Sequence, residues 1–429
     1  MDDCGNVLSP PRLLTHLNSM SRSSLVSLAL VVLLGMPRPA AAQEWTRFRG
    51  PDGSGASETS FPGTWAVKDF AWMAELDGRG HSSPVVWGER IFLNGALADG
   101  ATRSVVCLDA RDGHLLWKKH FESSTSRIHA QNSHASSTPA VDESRVYSAW
   151  ATPEALLVTA LDHRGNQVWQ RNLGPFTSQH GFGTSPIVYE DMLIIGNEQD
   201  GESSLVALDR KTGEVRWRTP RRTEGVAYST PTVMRHAPGL PELIFQSEAH
   251  GITSIDPRSG SSNWELGVFK MRTVGSPLVV GNLIIGACGS GGGSRNYVVA
   301  VRTGEKPKLA YRLEKSMPYV PTPVARGDLV FLWGDAGVVT AIEAQTGSKV
   351  WQHRVGGNFS GSPVRAADKL YCISTEGDVV VLAASRSYAE LGRVPLGETC
   401  RSTPAIAGKQ LLLRTESRLF CLAAKDASH

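Results

Sequence analysis

Three stretches carry residue types that perform chemistry in other proteins. The first is Lys211-Thr212-Gly213, inside DRKTGEVRW. Serine β-lactamases and penicillin-binding proteins use this tripeptide beside a nucleophilic Ser placed three residues before a Lys. No Lys in this chain has Ser at that position, and Ser261-Ser262-Asn263 only loosely copies the remaining motif. The second stretch is His129, Asn132 and His134. Imidazoles at i and i+5 do not share a helical face, and no Asp, Glu or Cys stands beside them, so no metal is expected there. The third is CGSGGGSRNY, Cys288 to Tyr297. A phosphate-cradling loop must be followed by Lys-Ser/Thr and a helix. Here an apolar strand pattern follows, which reads as a loop between the second and third strands of a unit.

Repetition explains Lys211-Thr212-Gly213 better than catalysis does. LVALDRKTGEVRW ends at Trp217. Its relatives VVCLDARDGHLLW, VTALDHRGNQVW, ITSIDPRSGSSNW and VTAIEAQTGSKVW end at Trp117, Trp169, Trp264 and Trp351, with weaker copies at Tyr311 and Leu391. A recurrence every 40 to 52 residues signals a repeat architecture with four strands per unit. A second marker keeps step with it. Ser-Pro or Thr-Pro precedes an apolar run at Pro84, Pro139, Pro186, Pro231, Pro277, Pro323, Pro363 and Pro404. Proline is tolerated at the first residue of a strand, where its missing N–H costs least. The Asp of each turn bonds nearby backbone, the Gly supplies positive φ, and the Trp is a plate suited to packing between neighbouring units.

Eight markers predict an all-β, eight-bladed β-propeller of four-stranded blades over residues 69–425. The last copy, RLFCLAA, has no strand after it, and FAWMAEL around Trp72 lies upstream of the first unit. The expectation is that the two chain ends pair to close the ring, which removes exposed sheet edges. Residues 43–68 form a preamble of unassigned role, and residues 426–429 a tail.

Residues 1–42 read as a signal-peptide region. Arg22 precedes the apolar run Leu25–Leu34, and Ala40-Ala41-Ala42 offers a small-residue cleavage site. Residues 1–19 precede a complete signal peptide and add nothing to it, so Met20 reads as an alternative start. The expected location is periplasmic or secreted, with no transmembrane span after cleavage and a monomeric state. Cleavage removes Arg12, Arg22, Arg38, Asp2 and Asp3, leaving 41 basic and 39 acidic residues, a net charge of +2. That is too small a charge to argue for nucleic acid or an anionic membrane as partner. Cys107, Cys288, Cys372, Cys400 and Cys421 are an odd set without close neighbours, read as small buried thiols.

The repeat, with its Ala-x-Asp-x-x-Thr-Gly-x-x-x-Trp pattern, resembles the PQQ-type β-propeller repeat. WTRFRGPDGSG, Trp45 to Gly55, looks like the preamble of BamB-like, outer-membrane assembly factor-like members of planctomycete type. The resemblance implies two functional branches. One is a non-enzymatic scaffold that docks an envelope protein or peptide. The other is a PQQ-dependent alcohol or sugar dehydrogenase, which holds a calcium-PQQ pair with Asp, Glu and Asn ligands beside a disulfide of adjacent cysteines. This chain has no Cys-Cys pair and no haem-attachment motif, so the scaffold is favoured, with no cofactor and no catalytic residue assigned. A polysaccharide-binding propeller is the remaining alternative.

Strand direction places one candidate site. The loops entering each Ser/Thr-Pro and the loops between strands two and three share one face, and the Asp-Gly turns lie on the other. The entering loops bring His81, His134, His180, Phe182, Tyr228, Arg272, Tyr319, Asn358, Phe359 and Arg401 toward a common mouth. This ring of His, Arg and aromatic groups is the predicted partner- or ligand-binding surface.

Overall fold

The computed structural model describes residues 44–424, except 98, 99, 224, 236–238, 292 and 294. The expected signal peptide and tail lie outside the described residues.

Eight four-stranded antiparallel blades follow one another along the chain, one of them carrying a further parallel strand. Blade 3 shows the plan: Ile187–Tyr189, Met192–Asn197, Ser203–Asp209 and Val215–Arg221 pair in sequence order. The first three strands are almost entirely buried, and the fourth alternates toward solvent. This is the pattern expected when inner strands pack on both faces and the rim meets water. In blade 8, Trp72–Glu75 pairs antiparallel with Arg418–Ala423, so the two ends of the chain close the ring. The only helix among the described residues is the single 3-10 turn Val67–Asp69.

The Asp-Gly turns hold the blades to one another. Asp209 Oδ1 accepts the N–H groups of Lys211 and Thr212 at 2.8 and 2.9 Å, and Gly213 has φ +73°. The Trp of the preceding blade lies flat on that glycine. A Cβ on Gly113, Gly165, Gly213 or Gly260 would stand 2.5–2.8 Å from Trp72, Trp117, Trp169 or Trp217 respectively. Each indole also donates its N–H to a carbonyl of the next blade's turn, at Ala110, His163, Arg210 and Pro257. Tyr311 does the same with Gly347 and the carbonyl of Ala344. Lys211 itself is exposed. Lys211→Ala should therefore change the free energy of unfolding, read from the urea midpoint, by no more than about 0.5 kcal/mol. A loss of several kcal/mol would mean that the side chain has a structural partner after all.

The preamble is a plug threaded through the channel. Trp45 pairs with Val86 of blade 1, and the carbonyl of Thr46 accepts the N–H of Val141 in blade 2. Arg47 Nη1 donates to Pro231 O of blade 4 at 2.9 Å. Arg49 reaches Pro323 O of blade 6 at 2.7 Å and Pro363 O of blade 7 at 2.9 Å. Ala56–Ser57 then adds a parallel strand to the inner edge of blade 7. Gly63 covers Leu391, where blade 8 has no Asp-Gly turn to do so. The five cysteines among the described residues are buried and form no disulfide.

Candidate functional site

The Ser/Thr-Pro pairs build the wall of the site. The Ser or Thr backbone N–H of one blade donates to the Ser or Thr side-chain oxygen of the next. The bonds run from Ser83 to Thr138, Thr138 to Ser185, Thr230 to Ser276, Ser276 to Thr322, Thr322 to Ser362, Ser362 to Thr403 and Thr403 to Ser83, at 2.9–3.3 Å. Seven of the eight junctions thus carry the same bond, which forms a belt around the axis. Buried N–H groups need a partner, and the neighbouring hydroxyl supplies it.

Above the belt is a cavity of about 330 Å³, lined by all eight of these residues and by the loops that enter them. His81, His180, Tyr228, Arg272, Tyr319 and Arg401 meet in its wall, as expected from the strand direction. Phe48, on the plug, forms part of the lining from the channel side. Thr177 O accepts the N–H of Asp200, and Arg272 O that of Gly289. These bonds place the loops between strands two and three on the same face as the entering loops.

Four predicted residues are not in this wall. Phe182 is buried against Phe176, with ring centroids 5.3 Å apart. His134 lies 3.2 Å from Arg103, and it and Phe182 line a separate cavity of about 250 Å³. Phe359 is 2% exposed and packs edge-on to Trp333. Asn358 is exposed and contacts Glu376. Local sequence put them in the right loops but did not say which side chains turn inward. Conversely, Phe48, His129, Gln131, Asn132, Val274 and Gly291 line the cavity without having been predicted to. His129 stacks edge-on to His180 at 4.8 Å, and Asn132 Nδ2 holds His180 O at 2.6 Å. His129, Asn132 and His134 are thus loop-ordering residues. The carboxylate and imidazole group with metal-ligand spacing among the described residues is elsewhere, at Asp109, Asp112 and His114 in the first turn. Asp109 is already engaged by Arg111 there.

The electrostatics of the cavity are one-sided. Its described lining holds Arg272 and Arg401 but no Asp or Glu. Burial, reinforced by Arg401 and Arg414, pushes the His81 imidazole down to about 3, so it is neutral at physiological pH. Burial, with Arg272 and His129 nearby, also lowers His180. Burial raises Tyr228 to about 12. Near the axis, Arg47, Arg49 and Arg414 are fully buried, and burial lowers them to about 10, 9 and 10. Their partners are mainly backbone carbonyls.

A calcium-quinone pair does not fit this lining. Calcium asks for several oxygen ligands, with carboxylates among them. Asp335, beside the wall, accepts the N–H groups of Tyr319 and Val320 on its two oxygens.

The family model for the outer membrane protein assembly factor BamB matches residues 101–353 and 304–428. The chain belongs to that family. Among solved structures, BamB from Moraxella catarrhalis superposes with TM-score 0.58 at 15% identity, covering 83% of this chain and 99% of that one. A quinohemoprotein alcohol dehydrogenase from Comamonas testosteroni gives 0.61 at 13%, covering 90% and 81%. A europium-containing methanol dehydrogenase gives 0.63 at 12%, covering 87% and 90%. At these identities the likeness to solved structures shows the shared propeller. No curated protein matches the chain. No helix among the described residues is long and apolar enough to cross a membrane.

Proposed function

We propose that this chain is an exported propeller scaffold of the cell envelope that docks a protein or peptide at the funnel mouth. The observation that carries the reading is the funnel itself: a formed cavity whose described lining has two guanidinium groups, imidazole and phenol groups, and no carboxylate. Such a wall is equipped to bind, whereas redox chemistry through a calcium-quinone pair asks for ligands it lacks. Family membership supports the envelope setting, and the apolar run before Ala40-Ala41-Ala42 supports export. The purified chain is taken to act as a monomer without a cofactor.

The test uses a photo-crosslinker at Gln131, an exposed residue of the cavity rim. In envelope preparations it should yield one discrete adduct, which disappears when His81, His180 and Arg401 are all replaced by Ala. An adduct that persists in the triple variant would move the docking site away from the mouth. Retention of PQQ with calcium, together with alcohol- or sugar-dependent dye reduction, would replace the scaffold by an oxidoreductase.

A further inference from the structure

The eight hydroxyls of the belt present more chemistry than docking requires. A Ser or Thr hydroxyl has one hydrogen to donate and two lone pairs to accept with. In seven of the eight, the oxygen already accepts a backbone N–H from the neighbouring blade. None of the eight donates its own hydrogen to a protein acceptor among the described residues. The belt is therefore a circle of O–H donors around the axis, with part of its accepting capacity already used. Arg272 and Arg401 stand above it without an Asp or Glu in the described wall. Their Nε atoms, and Nδ1 of His180, are buried and have no hydrogen-bond partner. The two Arg Nε groups are donors in want of an acceptor, and Nδ1 of His180 is a donor in one of its two tautomers.

We propose that the funnel is a metal-free receptor for a carboxylate group carried on an apolar body. The inference deepens the docking reading and rests on it for the source of the carboxylate, the free C-terminus of a peptide. The group itself is argued from the wall. A planar carboxylate offers two oxygens to the fork of an Arg and to hydroxyl donors. No Asp or Glu stands in the described lining to meet it directly, and Asp335, behind Tyr319 and Val320, accepts their N–H groups. Phe48, Tyr228, Tyr319, Val274 and Val320 give the rest of the ligand an apolar and aromatic surround. A cavity of about 330 Å³ holds more than a bare ion and suits one terminal side chain with its carboxylate.

Calorimetry on the purified chain tests this without reference to any partner. The probes are acetyl-Ala-Ala-Phe with a free C-terminus, the same peptide as its C-terminal amide, phenylacetate, and inorganic phosphate. The free acid should bind in the presence of a chelator, and the amide at least about tenfold more weakly. Arg401→Gln and Arg272→Gln should each weaken the acid at least about tenfold, with thermal unfolding unchanged. If a variant fails to fold, the acid-to-amide ratio on the parent chain still decides. Phenylacetate binding as tightly as the peptide would uphold the carboxylate receptor but remove the peptide, so the docking reading fails separately. Equal binding of acid and amide, phosphate matching the acid, a requirement for calcium, or no binding of any carboxylate would each overturn the proposal.

Discussion

Arg49→Ala is expected to lower the free energy of unfolding by about 3–5 kcal/mol, read from the urea midpoint of the mature chain. The guanidinium is fully buried and grips four carbonyls. Nη1 donates to Pro363 O at 2.9 Å, Nη2 to Pro323 O at 2.7 Å and to Ser54 O at 2.9 Å, and Nε to Gly53 O at 3.4 Å. Two of those carbonyls belong to different blades and two to the plug. One side chain therefore fixes the preamble to two adjacent blades. Burial of this cation is itself unfavourable, which is why its pKa falls to about 9. Removing it leaves the two blade carbonyls buried and unpaired, and that cost is larger than the desolvation relieved. Arg49→Lys should recover little of the loss, because an ammonium lacks the planar fork that spans two blades. An exposed arginine such as Arg354 serves as the control and should change stability by no more than about 0.5 kcal/mol on substitution. A loss below about 1 kcal/mol for Arg49→Ala would show that the plug is held mainly by Trp45 and the short strand at blade 7.

The plug also marks where sequence reading stops. The blades announce themselves because Asp, Gly, Trp and Ser/Thr-Pro recur, and recurrence survives without knowing what touches what. WTRFRGPDGSG recurs nowhere. Its arginines find their partners 184, 274 and 314 residues away, so nothing local signals the contact. Phe48 enters the funnel wall by the same route. The belt was half legible. Ser/Thr-Pro was visible as the start of a strand, but the reason for a hydroxyl there emerges only when eight strand starts face one another across a closed ring. The loop aromatics fail for a third reason. Phe182 and Phe359 sit in the right loops, yet each finds a better apolar partner in Phe176 or Trp333 than the open mouth offers. Tyr228 stays at the cavity, where its hydroxyl meets Ser178.

Trp217→Ala should cost about 3–5 kcal/mol, while Trp264→Ala, the same residue one blade later, should cost only about 1–2 kcal/mol. Trp217 is 7% exposed, lies on Gly260, and donates Nε1 to Pro257 O at 2.9 Å. Its removal empties the groove between blades 3 and 4 and leaves a turn carbonyl without a donor. Trp264 faces blade 5, where the turn is broken. Arg302 occupies the Asp position, and the glycine arrives two residues later instead of four, as Gly304. A Cβ on Gly304 would meet nothing within 4 Å, so no indole lies against it. Trp264 is half-buried and lines an open cleft with Asp256 and Thr303. The two substitutions remove identical atoms from equivalent strands. Their difference isolates what the Asp-Gly turn contributes as a lid, which transfer free energy of the indole alone would make equal. Equal losses in paired urea titrations would mean that the tryptophans stabilise their own blades. The Gly of Lys211-Thr212-Gly213 would then be a local bend without a part in joining the ring.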